Sequence, residues 1–239
     1  KGIKTFLSEF DKIVAQVNGK VWLRDYLIEG EISYLTNHLL KKGAVATPIF
    51  FKIIDLSKDK SLLWRNIRKS YSSLINSGLR ELSPLIINND SIAWEHFLQF
   101  RELHIHEAGR ETRSEESWRR QFEAVQEKEA FLVLGHLNGE LVSAGYFGHS
   151  VTNSIYGSSA SRRDLFEKPL FHAIMWTAIL HAKEIGLKWF EVGEQLFINH
   201  PSKIPPTEKE LGISEFKAGF GGVTKTYLDI ILDCGGKDE

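Results

Sequence analysis

The apolar positions of the chain alternate between two periods, and the changes of period outline most of its elements. In residues 57–77, Leu62, Leu63, Ile67, Tyr71, Leu74 and Ile75 fall on one helical face, and Gly78 follows them. Leu170, Ile174 and Ala178 repeat that spacing in a second helix, which Lys168-Pro169 opens and which stops at Gly186, after Ile185. Pro at the first helical position and Gly just past the last are normal helix punctuation. Between these helices the period shortens. Residues 131–134 and 141–147 are β-rich runs joined at Asn138-Gly139, a dipeptide suited to the positive-φ positions of a type I′ hairpin turn. Further strands are expected near Ser154-Ile155-Tyr156-Gly157 and at Trp189-Phe190-Glu191-Val192-Gly193. Residues 215–222 read as the approach to a final strand, with Lys217 at a strand end.

The front of the chain carries weaker patterns. Phe6, Phe10, Ile13, Val14 and Val17 have helical spacing and stop near Asn18-Gly19. Residues 21–28 are strand-like, 31–42 are amphipathic and close with Gly43, and 47–54 form a compact β-rich run. Residues 81–87 read as a strand, and 91–108 and 114–126 as helices, with Thr112 and Glu115 spaced as a capping box for the second. The polar stretch Ile87-Asn88-Asn89-Asp90-Ser91 is the best boundary. It divides the chain into 1–88, an incomplete domain, and 89–239, a whole one. In the latter, Leu132, Leu134, Val142, Ile174, Ala178, Ile179 and Val192 are expected to form the core of one sheet–helix layer.

This order of elements resembles the C-terminal acyltransferase domain of the FemAB family, aminoacyltransferases of cell-wall peptide synthesis within the GNAT-fold group. The residues that carry the resemblance are the Asn138-Gly139 hairpin, the helix end Ala182-Lys183-Glu184-Ile185-Gly186, the strand 189–193, and the segment Phe216-Lys217-x-x-Phe220-Gly221-Gly222. Upstream, Trp64-Arg65-Asn66-Ile67-Arg68-Lys69-Ser70, followed by Gly78, is similar to the helix that joins the two GNAT-like domains of that family. The resemblance spans residues 53–232. It implies an α/β fold with a mixed, mostly antiparallel sheet flanked by helices, and a partial or degenerate GNAT-like domain in front.

Composition narrows the classes without choosing among them. The chain has 239 residues, 42% of them hydrophobic and 26% charged, and a formal net charge of −1, so no strong global field draws it to nucleic acid or anionic lipid. One cysteine, Cys234, excludes a disulfide framework and a multi-cysteine metal site. No apolar run reaches the roughly 18 residues of a membrane helix. No signal peptide is visible. Because the chain begins Lys1-Gly2 and its only methionine is Met175, the natural start is expected upstream. Nine histidines are scattered. His104 and His106 would lie roughly 200° apart on a helix, which argues against shared chelation, so no metal site is expected.

Acyl transfer to an amine passes through a tetrahedral oxyanion and requires a way to handle the amine's proton. The resemblance places Lys217 at the reacting ester as the oxyanion donor, beside Phe216 as a substrate contact. A solvated lysine on an edge strand is the plain alternative. Glu191, Glu194 and Glu215 are candidate bases. Glu194, at the end of a central strand, is favoured, with an ordinary loop carboxylate as its alternative, and Glu215 is free to pair with a nearby cation. The family has an arginine that contacts the anionic acceptor. The resemblance gives that place to Arg113, or to Arg110, which would allow a bidentate clamp on phosphate or carboxylate, with a plain exposed arginine as the alternative. Tyr156 is expected in the same cleft as Lys217 and Glu194.

The loop before the long helix bears on the donor. Acyl-CoA enzymes of this fold place a glycine-rich turn there, whose N–H groups hold pyrophosphate. Here residues 161–169 contain no glycine, and Pro169 removes one N–H. This suits the FemAB group, whose donor is an aminoacyl-tRNA, with Arg162, Arg163 and Lys168 as phosphate contacts or, equally, as a solvated charged loop. The expected protein is a transferase that needs no cofactor and moves an aminoacyl or acyl group to an amine of a cell-envelope precursor. Its expected location is cytoplasmic, or peripheral at the inner membrane face. Two alternatives stay open: an acyl-CoA-dependent N-acyltransferase acting on an amino sugar, and a non-catalytic GNAT-like binding module.

Overall fold

The computed structural model describes residues 2–27, 30–199 and 205–235. Its contacts define two compact units, 1–51 with 194–214 and 224–239, and 52–193 with 215–223. These units are discontinuous in sequence and fall elsewhere than the 88/89 boundary. The polar stretch read as the best boundary forms a local turn within the second unit. There Asn88 N–H donates to the Ser91 hydroxyl at 3.1 Å, and Ser91 N–H donates to the Asn88 carbonyl at 3.1 Å.

In the first unit, β1 (Lys20–Asp25) pairs antiparallel with β8 (Val223–Asp233), Lys20 lying opposite Asp233. Helices α1 (Gly2–Val14) and α2 (Tyr34–Lys41) accompany them. Leu39, Ile230 and Leu232 are buried there, with Phe10, Val14, Val21 and Leu23 packed around them. Ser33 caps α2 by accepting from Thr36 N–H. The buried Asp25 carboxylate ties that cap to the end of β1, accepting from Ser33 N–H at 2.8 Å and Thr36 Oγ1 at 2.5 Å. Helix α1 ends short of Val17, and Ile28, expected in the first strand, lies outside the described residues.

In the second unit, β3 (Leu85–Ile87), β4 (Ala130–Leu137), β5 (Glu140–His149) and β6 (Asn153–Ser161) form an antiparallel ladder. Strand β7 (Trp189–Glu194) joins β6 in parallel, with Ser154 opposite Phe190. Strand β2 (Val45–Asp55) belongs to both units, beginning in the first and ending in the second. The sheet is mixed and mostly antiparallel, as expected. At the hairpin tip Asn138 and Gly139 have φ of 52° and 85°, the type I′ combination.

Strand alternation explains how the core is arranged. On β4, Phe131 and Val133 face α4 (Lys69–Leu82) and α7 (Leu170–Glu184), in a cluster with Ile75, Ile174, Ala178, Ile179, Phe190 and Val192. Ala130, Leu132 and Leu134 point the other way, toward α5 (Trp94–Ala108) and α6 (Glu115–Gln126), with Phe97, Phe100 and Trp118. Every residue expected in the core is buried. They do not share one layer, however. A strand covered on both faces sends successive side chains to opposite sides, which is also why β4 reads as an unbroken apolar run. Val142 sits in a smaller cluster with Leu82 and Leu170.

Several helix limits differ from expectation. The helix expected over 57–77 is two, α3 (Lys60–Arg65) and α4, and Gly78 lies inside α4 instead of ending it. A Cβ on Gly78 would come within 2.8 Å of Ala173 Cβ and 3.0 Å of the Pro169 carbonyl, so glycine lets α4 approach α7. Strand β3 is only Leu85–Ile87, because α4 continues to Leu82. Ser114, not Thr112, caps α6. Pro169 is the N-cap of α7 and not its first helical residue.

Candidate functional site

The largest correction falls on the segment that carries the candidate chemistry. Glu215, Phe216 and Lys217 form the last turn of a helix, α8 (Glu208–Ala218), not a strand end. The last carbonyls of a helix lack intrahelical partners, and here distant residues of the second unit supply them. Tyr71 Oη donates to the Phe216 carbonyl at 3.1 Å, and Arg68 Nη2 donates to the Glu215 carbonyl at 3.1 Å. Arg68 Nη2 also meets Glu215 Oε1 at 2.5 Å, so Glu215 is spent on an ion pair. A cation at this end of a helix is favoured by the macrodipole as well. Arg68 N–H then donates to the Gly219 carbonyl at 2.8 Å, which fixes the break between α3 and α4 against the end of α8. Gly221 and Gly222 follow with φ of 89° and 82°, and a Cβ on Gly221 would come within 2.8 Å of the Asn66 carbonyl.

This clamp aims Lys217. The lysine is half-buried, and its Nζ lies 5.9 Å from the centroid of the Tyr156 ring. Its side chain crosses Gly193 near the end of β7: a Cβ built on Gly193, whose φ is 130°, would stand 2.6 Å from Lys217 Nζ and 3.0 Å from Cε. Only glycine leaves that space without strain. Tyr156 Oη shares a 2.5 Å hydrogen bond with Ser159 Oγ, and burial raises the Tyr156 pKa despite that bond.

Beside the lysine, Phe216 meets Tyr71, His172 and Phe220 at centroid distances of 6.0, 5.2 and 5.2 Å. Phe171 links this group to Tyr156 at 5.5 Å. Burial pushes the His172 imidazole down to about 4, so it is neutral near pH 7. The arrangement is an ammonium held on an aromatic wall, partly out of water, where its field counts for more than in bulk solvent.

The structure therefore brings Lys217, Phe216 and Tyr156 together. Glu194, the last residue of β7, belongs to the first unit. There it adds to the field that raises the pKa of Arg24, whose main partner is Asp229 at 2.8 and 3.0 Å. Arg113 lies against Trp118 and His104, apart from the lysine wall. Arg162 is engaged by Asp164 at 2.6 and 2.8 Å and by Glu140 at 3.5 Å. Arg163 lies 3.9 Å from Glu107, and Lys168 is bound to Glu81 at 2.6 Å. These cations meet any phosphate already paired. Sequence reasoning gave no site role to Tyr71, Phe220, Arg68 or Gly193: Tyr71 reads as one position of a helical stripe, Arg68 and Phe220 as members of longer segments, and Gly193 as a strand residue. Among the described residues no cluster of three or more His, Cys, Asp or Glu is arranged to hold a metal ion. None of their helices is long and apolar enough to cross a membrane.

No known family profile matches the chain, and no curated protein matches it either. Solved structures do. FemX superposes with a TM-score of 0.69 at 14% identity, over 96% of this chain and 76% of its own. L-PGS from Bacillus licheniformis gives 0.58 at 15% identity, over 95% and 71%. A tandem GNAT protein from the clavulanic acid biosynthesis pathway gives 0.52 at 12% identity, over 92% and 66%. At these identities the likeness defines the fold. The chain has the GNAT-type α/β fold seen in FemX, as the family resemblance implied.

Proposed function

We propose that this protein transfers an aminoacyl or acyl group to an amine of a cell-envelope precursor, with an aminoacyl-tRNA as the favoured donor. The observation that carries the reading is Lys217: a half-buried ammonium laid across Gly193 and facing the Tyr156 ring. The acceptor amine attacks the ester carbonyl carbon, and the carbonyl oxygen becomes an oxyanion. Lys217 offers that oxygen a charged donor, of the kind whose removal typically costs 10²–10³-fold in turnover. The ester C–O bond then breaks, and the departing oxygen takes a proton. Phe216 and Tyr156 line the place of the reacting ester. Glu194 is assigned the amine proton, and Arg113 the anionic group of the acceptor. The FemX-like fold supports this choice of chemistry.

The donor assignment draws on the turn before α7. Residues 163–165 form a 3₁₀ turn, Pro169 has no N–H, and Leu170 N–H is spent on the Lys168 carbonyl at 2.8 Å. That removes two donors from the turn and leaves the N–H groups beyond Leu170 in the first turn of α7 for a pyrophosphate, fewer than a glycine-rich turn offers. The second reading is acyl-CoA-dependent N-acylation of an amino sugar, and the fold shared with a tandem GNAT protein is compatible with an acyl-CoA donor. One experiment separates them. The purified protein is incubated with tRNAs charged with radiolabelled amino acids and a nucleotide-linked peptidoglycan precursor, and titrated in parallel with acetyl-CoA by calorimetry. Label should pass to the precursor, with acetyl-CoA bound weakly or not at all. Micromolar acetyl-CoA affinity without transfer from tRNA would replace this reading with the second, and neither signal would favour a binding module.

A further inference from the structure

Arg113 is half-buried, yet among the described residues it makes no ion pair, unlike Arg101, Arg119 and Arg120 on the flanking helices. Its guanidinium lies 5.1 Å from the centroid of the fully buried Trp118 ring. Its Nη1 is 3.3 Å from His104 Nε2, and His104 Nδ1 is 3.1 Å from Thr112 Oγ1. An arginine only donates, so His104 Nε2 accepts. Nδ1 then carries the hydrogen and donates to Thr112 Oγ1, and the imidazole is neutral. Phe100 and Trp118 pack edge-on against the ring at 6.1 and 5.6 Å and fix its plane. The carboxylates closest to Arg113 in sequence are otherwise occupied: Glu111 pairs with Arg101, Glu115 with Arg119 and Glu116 with Arg120.

A carboxylate in place of His104 would also hold the guanidinium, but it would cancel its charge. A neutral acceptor fixes the side chain and leaves the charge whole. Keeping a partly buried charge without a counter-ion is costly, and such costs concentrate at sites of use. We infer that His104, as its Nδ1–H tautomer set by Thr112, is the positioning residue that holds Arg113 uncompensated for an anionic ligand of phosphate type. The inference rests on the reading of Arg113 as the anion clamp of the acceptor.

The test needs no donor and no transfer. Pyrophosphate binding is measured by calorimetry on the whole chain, and the tautomer of His104 by nitrogen-15 NMR. Arg113→Ala should weaken pyrophosphate at least 10-fold. His104→Leu should weaken it about 3–10-fold, the effect of one hydrogen bond. His104→Gln, which keeps a neutral acceptor, should stay within twofold of the natural protein. His104 should show the Nδ1–H form, and Thr112→Val should shift it toward the Nε2–H form. If His104→Leu binds like the natural protein while Arg113→Ala does not, His104 has no positioning role and the clamp survives. If His104 is the Nε2–H tautomer, or pyrophosphate does not bind or is indifferent to Arg113→Ala, the inference fails. Pyrophosphate binding with this pattern, in a protein that transfers nothing from aminoacyl-tRNA, would keep the inference and remove the proposed reaction.

Discussion

Gly193→Ala tests the placement of Lys217 without a substrate. At φ 130° an alanine is strained by about 1–3 kcal/mol. The new methyl group would meet Lys217 Nζ at 2.6 Å and Cε at 3.0 Å, the far end of a flexible side chain. Moving that end into a poorer rotamer costs about 0.5–1.5 kcal/mol. The sum, about 2–4 kcal/mol, is a large part of a typical stability of about 5–15 kcal/mol but does not exceed it. The variant should fold, with Tm lowered by about 4–16 °C for a chain of this size. Circular dichroism during heating measures this. The lysine is followed by carbon-13 NMR after reductive methylation, with the Lys217 signal identified by its loss in Lys217→Arg. In the natural protein the Tyr156 ring current should displace that signal from the other lysines, and in Gly193→Ala the displacement should collapse. An unchanged Tm together with an unchanged Lys217 signal would refute the contact between these residues.

Two further predictions concern packing and charge. Gly78→Ala should lose about 0–2 kcal/mol, because overpacking against Ala173 and the Pro169 carbonyl, about 1–3 kcal/mol, outweighs the gain of about 1 kcal/mol from helix propensity. Gly212→Ala, which meets nothing within 4 Å, should gain about 0.5–1 kcal/mol, and urea midpoints that rise for both variants would contradict the α4–α7 contact. His172 has a folded pKa pushed by burial down to about 4, below its ordinary value of 6.5. The unfolded chain therefore binds its proton first. Stability is full above pH 6.5 and is lost as pH falls toward 4. His172→Phe should flatten this part of the urea-midpoint curve, and an unchanged curve would show that His172 is not buried as described.

What the sequence revealed and what it hid divide along the range of the interactions. The β4–β5 hairpin, α7 and β7 are written locally, in Asn138-Gly139, in the Leu170–Ile174–Ala178 stripe and in the Gly186 stop, and all three stand where the pattern placed them. Helix α8 is not written locally. Gly212 weakens it, and Gly221-Gly222 reads as a turn into a strand. Its last turn is secured from α4 and the α3–α4 break, by Tyr71 and Arg68. The same contacts divide a helix that looked continuous, because Leu63, Ile67 and Tyr71 keep helical spacing through the break. Lys217 was legible as a candidate, whereas Gly193 beneath it and the His172–Phe220 wall beside it depend on the assembled fold. The role of His104 likewise follows from its distances to Arg113 and Thr112, which no spacing in the sequence gives.

The central claim, that Lys217 stabilises the oxyanion of an acyl transfer, is tested most directly by the rate at which label moves from aminoacyl-tRNA to the envelope precursor. Lys217→Met should keep the natural Tm within about 2 °C, since a half-exposed lysine contributes little to the core. It should lower turnover by roughly 10²–10³-fold. Lys217→Arg should recover only part of that loss, because a planar guanidinium does not reproduce a compact ammonium. A Lys217→Met protein that folds normally and transfers label at the natural rate would contradict the account.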